Sequence, residues 1–154
     1  DSSKRYWEPC AGDGRILNYF GNVVIGTDIE PRSKDVFEGN FLSSSKPDTV
    51  DAIITNPPFS LGYELIKKSL YEWEIPALLL LRVEYIAAKA RQDVVKHMTD
   101  MHIVSDLIKF ETESGRIVHG NGTGRCAWML FDPNESPENI RLKYVLYKLN
   151  QLKQ

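Results

Sequence analysis

One stretch, Asp51-Ala-Ile-Ile-Thr-Asn-Pro-Pro-Phe-Ser60, constrains this chain more than any other. Ala52, Ile53 and Ile54 make a short unbroken apolar run, the pattern of a parallel strand buried on both faces, and Asn56-Pro57-Pro58-Phe59 leaves its carboxyl end. That edge is where open α/β sheets keep their ligands. Two consecutive prolines remove two N–H donors and fix two φ angles, so the carbonyls of Asn56 and Pro57 are held with no local donor to quench them. With the Asn56 amide oxygen added, the turn is a rigid cluster of acceptors beside the aromatic face of Phe59. Such a cluster suits a flat group that presents an NH2. The same residues also permit a plain exposed turn, with Pro-Pro as a stop and Ser60 as the N-cap of a following helix.

The lone pair of a conjugated amino nitrogen is delocalised, which makes it a poor nucleophile. Accepting its two N–H bonds on Asn56 Oδ1 and the Pro57 carbonyl favours a pyramidal transition-state nitrogen over the planar ground state, with no general base needed before attack. Asn56-Pro57-Pro58-Phe59 resembles the catalytic (Asp/Asn)-Pro-Pro-(Tyr/Phe) tetrapeptide of S-adenosylmethionine-dependent amino methyltransferases. The following Ser60-Leu61 is most similar to the adenine-N6 DNA methyltransferases of phages and restriction systems. The resemblance implies that Asn56, Pro57, Pro58 and Phe59 are the catalytic segment, with Asn56 also beside the cofactor.

Two more segments extend the resemblance. Tyr6-Trp7 reads as the end of a first strand, and Glu8-Pro9-Cys10-Ala11-Gly12-Asp13-Gly14 as a glycine turn leading into a helix from Ile16 to Phe20. As a dinucleotide fingerprint the segment fails, because Leu17 occupies the third glycine position. It is similar instead to the first motif of class I methyltransferases, which implies that Glu8 through Gly12, with Gly14, hold the methionine part of the cofactor. A second strand, Asn22 to Asp28, ends in Asp28-Ile29-Glu30-Pro31, where a carboxylate can bind the vicinal hydroxyls of a ribose. Asp28, beside Ile29, takes that role, with Glu30 as the alternative. Asn40-Phe41, at the exit of a short strand within Asp35 to Leu42, matches the family's adenine-contacting position. Asp is usual there; Asn40 can still accept through its amide oxygen, without charge assistance.

The rest of the chain supplies scaffold. Leu65, Ile66 and Leu70 form a helical stripe within Gly62 to Trp73, and Pro76 to Leu81 is a further buried strand ended by Arg82. Glu84 to Met98 reads as a helix whose Lys89, Arg91 and Lys96 form a face for solvent or for phosphates. His102 to Phe110 and Cys126 to Phe131 alternate as a final antiparallel pair. Between them Glu111 to Arg125 is a long loop with Gly115, Gly120, Gly122 and Gly124, the kind that is usually functional. Asn139 to Leu152 is compatible with an edge strand or a helix. His97, His102 and His119 share no ligand spacing, and Cys10 and Cys126 lie far apart without a CxxC pattern, so no metal site is expected and both thiols read as reduced.

These elements predict an α/β fold, a Rossmann-like seven-stranded, mostly parallel sheet of the class I methyltransferase kind with a C-terminal antiparallel pair and helices on both faces. At 154 residues the expectation is one domain, residues 1–154, without a separate target-recognition domain. The chain begins at Asp1 without Met, so a few leading residues are expected to be missing. The longest apolar run, Ile75 to Leu81, is too short to span a membrane, and a cytoplasmic site in a bacterial or phage-infected cell is expected. The net charge of −2 is not that of a free-standing nucleic-acid binder. Three functions stay open: an adenine-N6 DNA methyltransferase that flips its base into the Asn56–Phe59 site; a methyltransferase of protein glutamine or RNA guanine N2 or adenine N6; or a cofactor-binding, silent subunit of a larger enzyme. S-adenosyl-L-methionine is the expected cofactor and nucleic acid, DNA first, the expected substrate partner. Recognition would come from the glycine-rich loop, from lysines, from a partner subunit or from a second copy.

Overall fold

The computed structural model describes residues 3–21, 24–104, 110–111, 117–118, 125–135 and 141–145. Eight strands, β1 (Tyr6–Glu8), β2 (Val24–Asp28), β3 (Phe37–Glu38), β4 (Ala52–Thr55), β5 (Ala77–Arg82), β6 (Met98–Val104), β9 (Cys126–Phe131) and β10 (Arg141–Val145), form one sheet. Its order is β3-β2-β1-β4-β5-β9-β6-β10. Strands β1 to β5 run parallel, and β9 enters antiparallel between β5 and β6. The order reverses at β1, which pairs with β2 on one side and β4 on the other. A crevice outside the carboxyl ends of strands at such a switch point is the usual ligand site.

Strand parity shows how the helices α1 (Arg15–Phe20) and α2 (Gly62–Lys67) cover the sheet. Register puts Trp7 level with Ile25 and Ile53, and Ile53 level with Ala77, so these side chains share one face with Leu79 and Leu81. They join the main core, where Trp7 meets Trp73 at 5.0 Å and Leu65, Ile66 and Leu70 are buried. A Cβ at Gly62 of α2 would lie 2.9 Å from Leu81, so α2 lies on this face. Gly26 points the other way. A Cβ there would come within 2.6 Å of Leu17 and 3.2 Å of Ala11, so only glycine lets α1 sit this close on β2. On that second face, farther along the sheet, Leu80, Val104 and Cys126 form a smaller cluster with Phe59 and Trp128.

The fold agrees with the expected Rossmann-like sheet, and β10 adds an eighth strand at the edge, parallel to β6. That resolves the Asn139 to Leu152 alternative as a strand over Arg141–Val145. The helix expected over Glu84 to Met98 is not continuous. Val83–Ala87 and Lys89–Arg91 are 3-10 turns, Ala88 between them is extended at ψ 118°, and α3 is the single turn Gln92–Val95. The Gln92 side chain donates to the carbonyls of Ile86 and Ala88, competing with regular helical bonding. Met98 instead opens β6, because Met98, Met101 and Val104 bury themselves against β9. The expected strand from His102 therefore begins four residues earlier. The expected helix from Gly62 to Trp73 does form, α2 running on as a π-helical turn over Lys68–Glu72. Within the expected Glu111 to Arg125 loop, β8 (Ile117–Val118) pairs with β7 (Phe110–Glu111); most of that loop lies outside the described residues. No helix among the described residues is long and apolar enough to cross a membrane.

Candidate functional site

An open cleft of about 590 Å³ lies at the carboxyl ends of β4, β1, β2 and β3. Its volume falls in the range of small-molecule sites. Following sheet order, β4 contributes Asn56, Pro57, Pro58 and Phe59; β1 contributes Pro9, Cys10 and Gly12; β2 contributes Asp28, Ile29 and Glu30; and β3 contributes Gly39, Asn40 and Phe41. The three sequence segments thus converge on one cavity. Glu8, Ala11 and Gly14 do not line it.

The glycine loop is clamped to β2. Ala11 N–H donates to the Thr27 carbonyl at 2.9 Å, and Gly12 N–H to Asp28 Oδ2 at 2.8 Å. The Gly12 carbonyl accepts from Arg32 N–H at 3.0 Å. Gly12 has φ +53°, a backbone conformation that calls for glycine, and a Cβ there would meet the tip of the Arg32 side chain at 2.8 Å. The other Asp28 oxygen accepts from Glu30 N–H at 2.9 Å, and the Asp28 carbonyl accepts from Gly39 N–H at 2.9 Å. Asp28 therefore knits together the exits of β1, β2 and β3. Each carboxylate oxygen keeps a lone pair for a ligand hydroxyl.

Glu8 has another setting. It is 2% exposed, and its Oε2 accepts from Leu17 N–H in the first turn of α1 at 3.1 Å. Gly14, the N-cap, has no side chain to do this. Burial pushes the Glu8 carboxyl up to about 8, opposed by the Leu17 hydrogen bond and reinforced by Asp13 and Asp28. Glu8, which the resemblance assigns to the cofactor, sits buried behind the loop and accepts from the first turn of α1. Burial, with the Asp28 charge adding to it, likewise pushes the Cys10 thiol up to about 12.

At the β3 exit Asn40 Oδ1 accepts from Leu42 N–H at 3.0 Å, and the Asn40 carbonyl accepts from Ser43 and Ser44. The side chain thus sets the turn while one lone pair of its oxygen stays available. Phe41 is buried in the core with its edge on the cleft, and Ile29, 69% exposed, faces it from β2.

After β4, Asn56 is exposed at the cleft wall and Pro57 is buried. Among the described residues no N–H donates to the carbonyl of Asn56 or Pro57, whereas that of Pro58 accepts from Leu61. Ser60 does not cap α2; Leu61 holds that position without a side-chain hydrogen bond. Phe59 is half-buried against the cluster of Leu80, Val104 and Cys126, with the Arg82 guanidinium 5.0 Å from its ring centroid. Lys89 and Lys96 are exposed, whereas Arg91 stacks on Tyr85 at 4.2 Å. His97 contacts the Glu135 carbonyl at 3.2 Å, and His119 lies outside the described residues.

Arg32, Leu42 and Leu61 also line the cleft, and sequence motifs do not single them out. Nothing in the sequence marks Arg32, since Lys34 is a second cation of the same exit loop.

No protein-family model and no curated protein sequence matches this chain. Solved structures do. A protein from Listeria monocytogenes, described as a candidate class I S-adenosylmethionine-dependent methyltransferase, superposes with a TM-score of 0.59 at 12% identity, over 94% of this chain and 59% of that one. A protein from Agrobacterium tumefaciens named as a predicted O-methyltransferase gives a TM-score of 0.51 at 12% identity, over 94% and 79%. This chain spans about three-fifths of the Listeria protein's length. The likeness establishes a class I methyltransferase-like, Rossmann-type fold.

Proposed function

We propose that this chain transfers a methyl group from S-adenosyl-L-methionine to an exocyclic amino nitrogen, with adenine N6 in DNA as the favoured acceptor. The observation that carries the reading is the convergence of Asn56–Phe59, the Gly12 loop, Asp28 and Asn40–Phe41 on one cleft at the switch point of the sheet. The residues fit the cofactor: a tight turn at the positive-φ Gly12 on the cleft wall, a carboxylate for ribose hydroxyls, and apolar residues Ile29 and Phe41 for a purine. When bound, the cofactor supplies an electrophilic methyl group. Asp28 would hold the ribose edge, with Glu30 as the alternative, Asn40 and Phe41 the adenine, and the loop from Pro9 to Gly12 the amino-acid end.

Asn56 Oδ1 and the Pro57 carbonyl accept the two N–H bonds of the acceptor nitrogen, favouring its pyramidal form as attack proceeds. Phe59 stacks on the target ring, and its partial burial against the cluster of Leu80, Val104 and Cys126 restricts its motion. An adjoining exposed Arg82 suits a phosphate.

The acidic composition, net charge −2, favours a second reading in which the acceptor is a protein glutamine side chain. In the DNA reading, a second copy or a partner subunit contributes to the target grip. Incubation with labelled cofactor and separate DNA, RNA and protein pools, followed by digestion, distinguishes these. N6-methyladenine from the DNA pool supports the favoured reading; label in glutamine alone overturns it.

A further inference from the structure

Arg32 is the only cationic side chain lining the cleft among the described residues, which otherwise bears the carboxylates of Asp28 and Glu30. Arg32 is exposed, yet its guanidinium is folded back over the Gly12 loop. Nη2 lies 2.8 Å from where a Gly12 Cβ would be, and Arg32 N–H donates to the Gly12 carbonyl, so the backbone of the residue is tied to the loop and its guanidinium lies over it. No carboxylate pairs with it among the described residues. A guanidinium laid along a backbone with its donors open is set for a planar anion, which it grips with two parallel hydrogen bonds.

Sheet order says which part of a ligand would meet it. If Asn40–Phe41 takes the adenine, Asp28 the ribose and Asn56 the reacting end, the Gly12 loop between β2 and β4 takes the amino-acid end. That end carries the cofactor's single anionic group. The ammonium and sulfonium would be drawn to the acidic side of the cleft and the carboxylate to Arg32. Resting on the cofactor reading above, we propose that Arg32 is a specificity residue that clamps the α-carboxylate of S-adenosylmethionine and of its product, so that the site selects the whole amino acid rather than the adenosine alone.

The test is a deletion cycle by titration calorimetry on the full chain, pairing wild type and Arg32→Ala with S-adenosylhomocysteine and its decarboxylated analogue. Removing either partner should weaken binding about 10- to 100-fold, the range for a hydrogen-bonded charge, and removing both should cost no more than removing one. Arg32→Lys, which keeps the charge without the fork, should fall between. Equal weakening of both ligands by Arg32→Ala would mean that Arg32 only shapes the loop, and no weakening would also overturn the proposal. If wild type binds neither ligand, the cofactor reading itself fails. Melting curves check that the exposed substitution leaves the fold intact.

Discussion

The carboxylate of Asp28 accepts the backbone N–H of Gly12 at 2.8 Å, tying the exit of β2 to the glycine loop of β1. One side chain thus both builds the cleft and faces into it. Asp28→Asn keeps an acceptor oxygen and removes the charge, so it should weaken S-adenosylhomocysteine by about 1–3 kcal/mol, the range for a lost charge-assisted bond. Glu30→Gln should change affinity by less than about 0.5 kcal/mol. The reverse order in calorimetry would move the ribose role to Glu30.

Glu8 carries a pH signature. Its carboxyl is raised to about 8 in the fold from 4.5, so between those values the native state holds a proton that the unfolded chain has lost. Its contribution is fully present below about pH 4.5 and is lost as pH rises through about 8. Glu8→Gln still accepts from Leu17 without a charge, so it should flatten the fall in melting temperature between pH 5 and pH 8.5. A mutant that keeps the full wild-type slope would place the titration elsewhere.

Cys10 lines the cleft but should be chemically quiet, because burial and the Asp28 charge hold its thiol near 12. Iodoacetamide at pH 8 should label it at least about tenfold more slowly than a free peptide thiol. Labelling at the peptide rate would show an open thiolate.

How much of this was legible beforehand depended on how local the determinant is. The Pro-Pro turn, the glycine loop and the Asp28 strand end declare themselves within ten residues each, because missing donors and positive φ are properties of those residues. The break at Ala88 depends on the Gln92 side chain reaching Ile86, and β6 starts at Met98 because β9 is there to bury it. Neither follows from helical periodicity in Val94 and Val95. The place of Glu8 in the motif is the same whether it faces the cleft or caps α1, so its bond to Leu17 N–H is legible only in the fold. Arg32 was invisible because its approach to Gly12 crosses from one strand exit to another.

Phe59 has two duties that one substitution can separate. Phe59→Leu should keep packing on the cluster of Leu80, Val104 and Cys126 while removing the aromatic face, so thermal stability should change by less than about 1 kcal/mol. Binding of a target oligonucleotide should weaken by about 1–3 kcal/mol, the worth of stacking one base. Phe59→Tyr should be nearly neutral. If stability and binding fall together in both variants, the ring is core and not platform.

The central claim is that the Asn56 amide and the Pro57 carbonyl accept the N–H bonds of the methylated nitrogen. Single-turnover methylation by Asn56→Ala, run beside thermal melts and cofactor titration, tests it most directly. Asn56 is exposed, so folding and cofactor affinity should hardly change while the rate falls by about 10²–10³, as when one preorganised transition-state contact is removed. A normally folded Asn56→Ala protein that methylates at the wild-type rate would contradict the account.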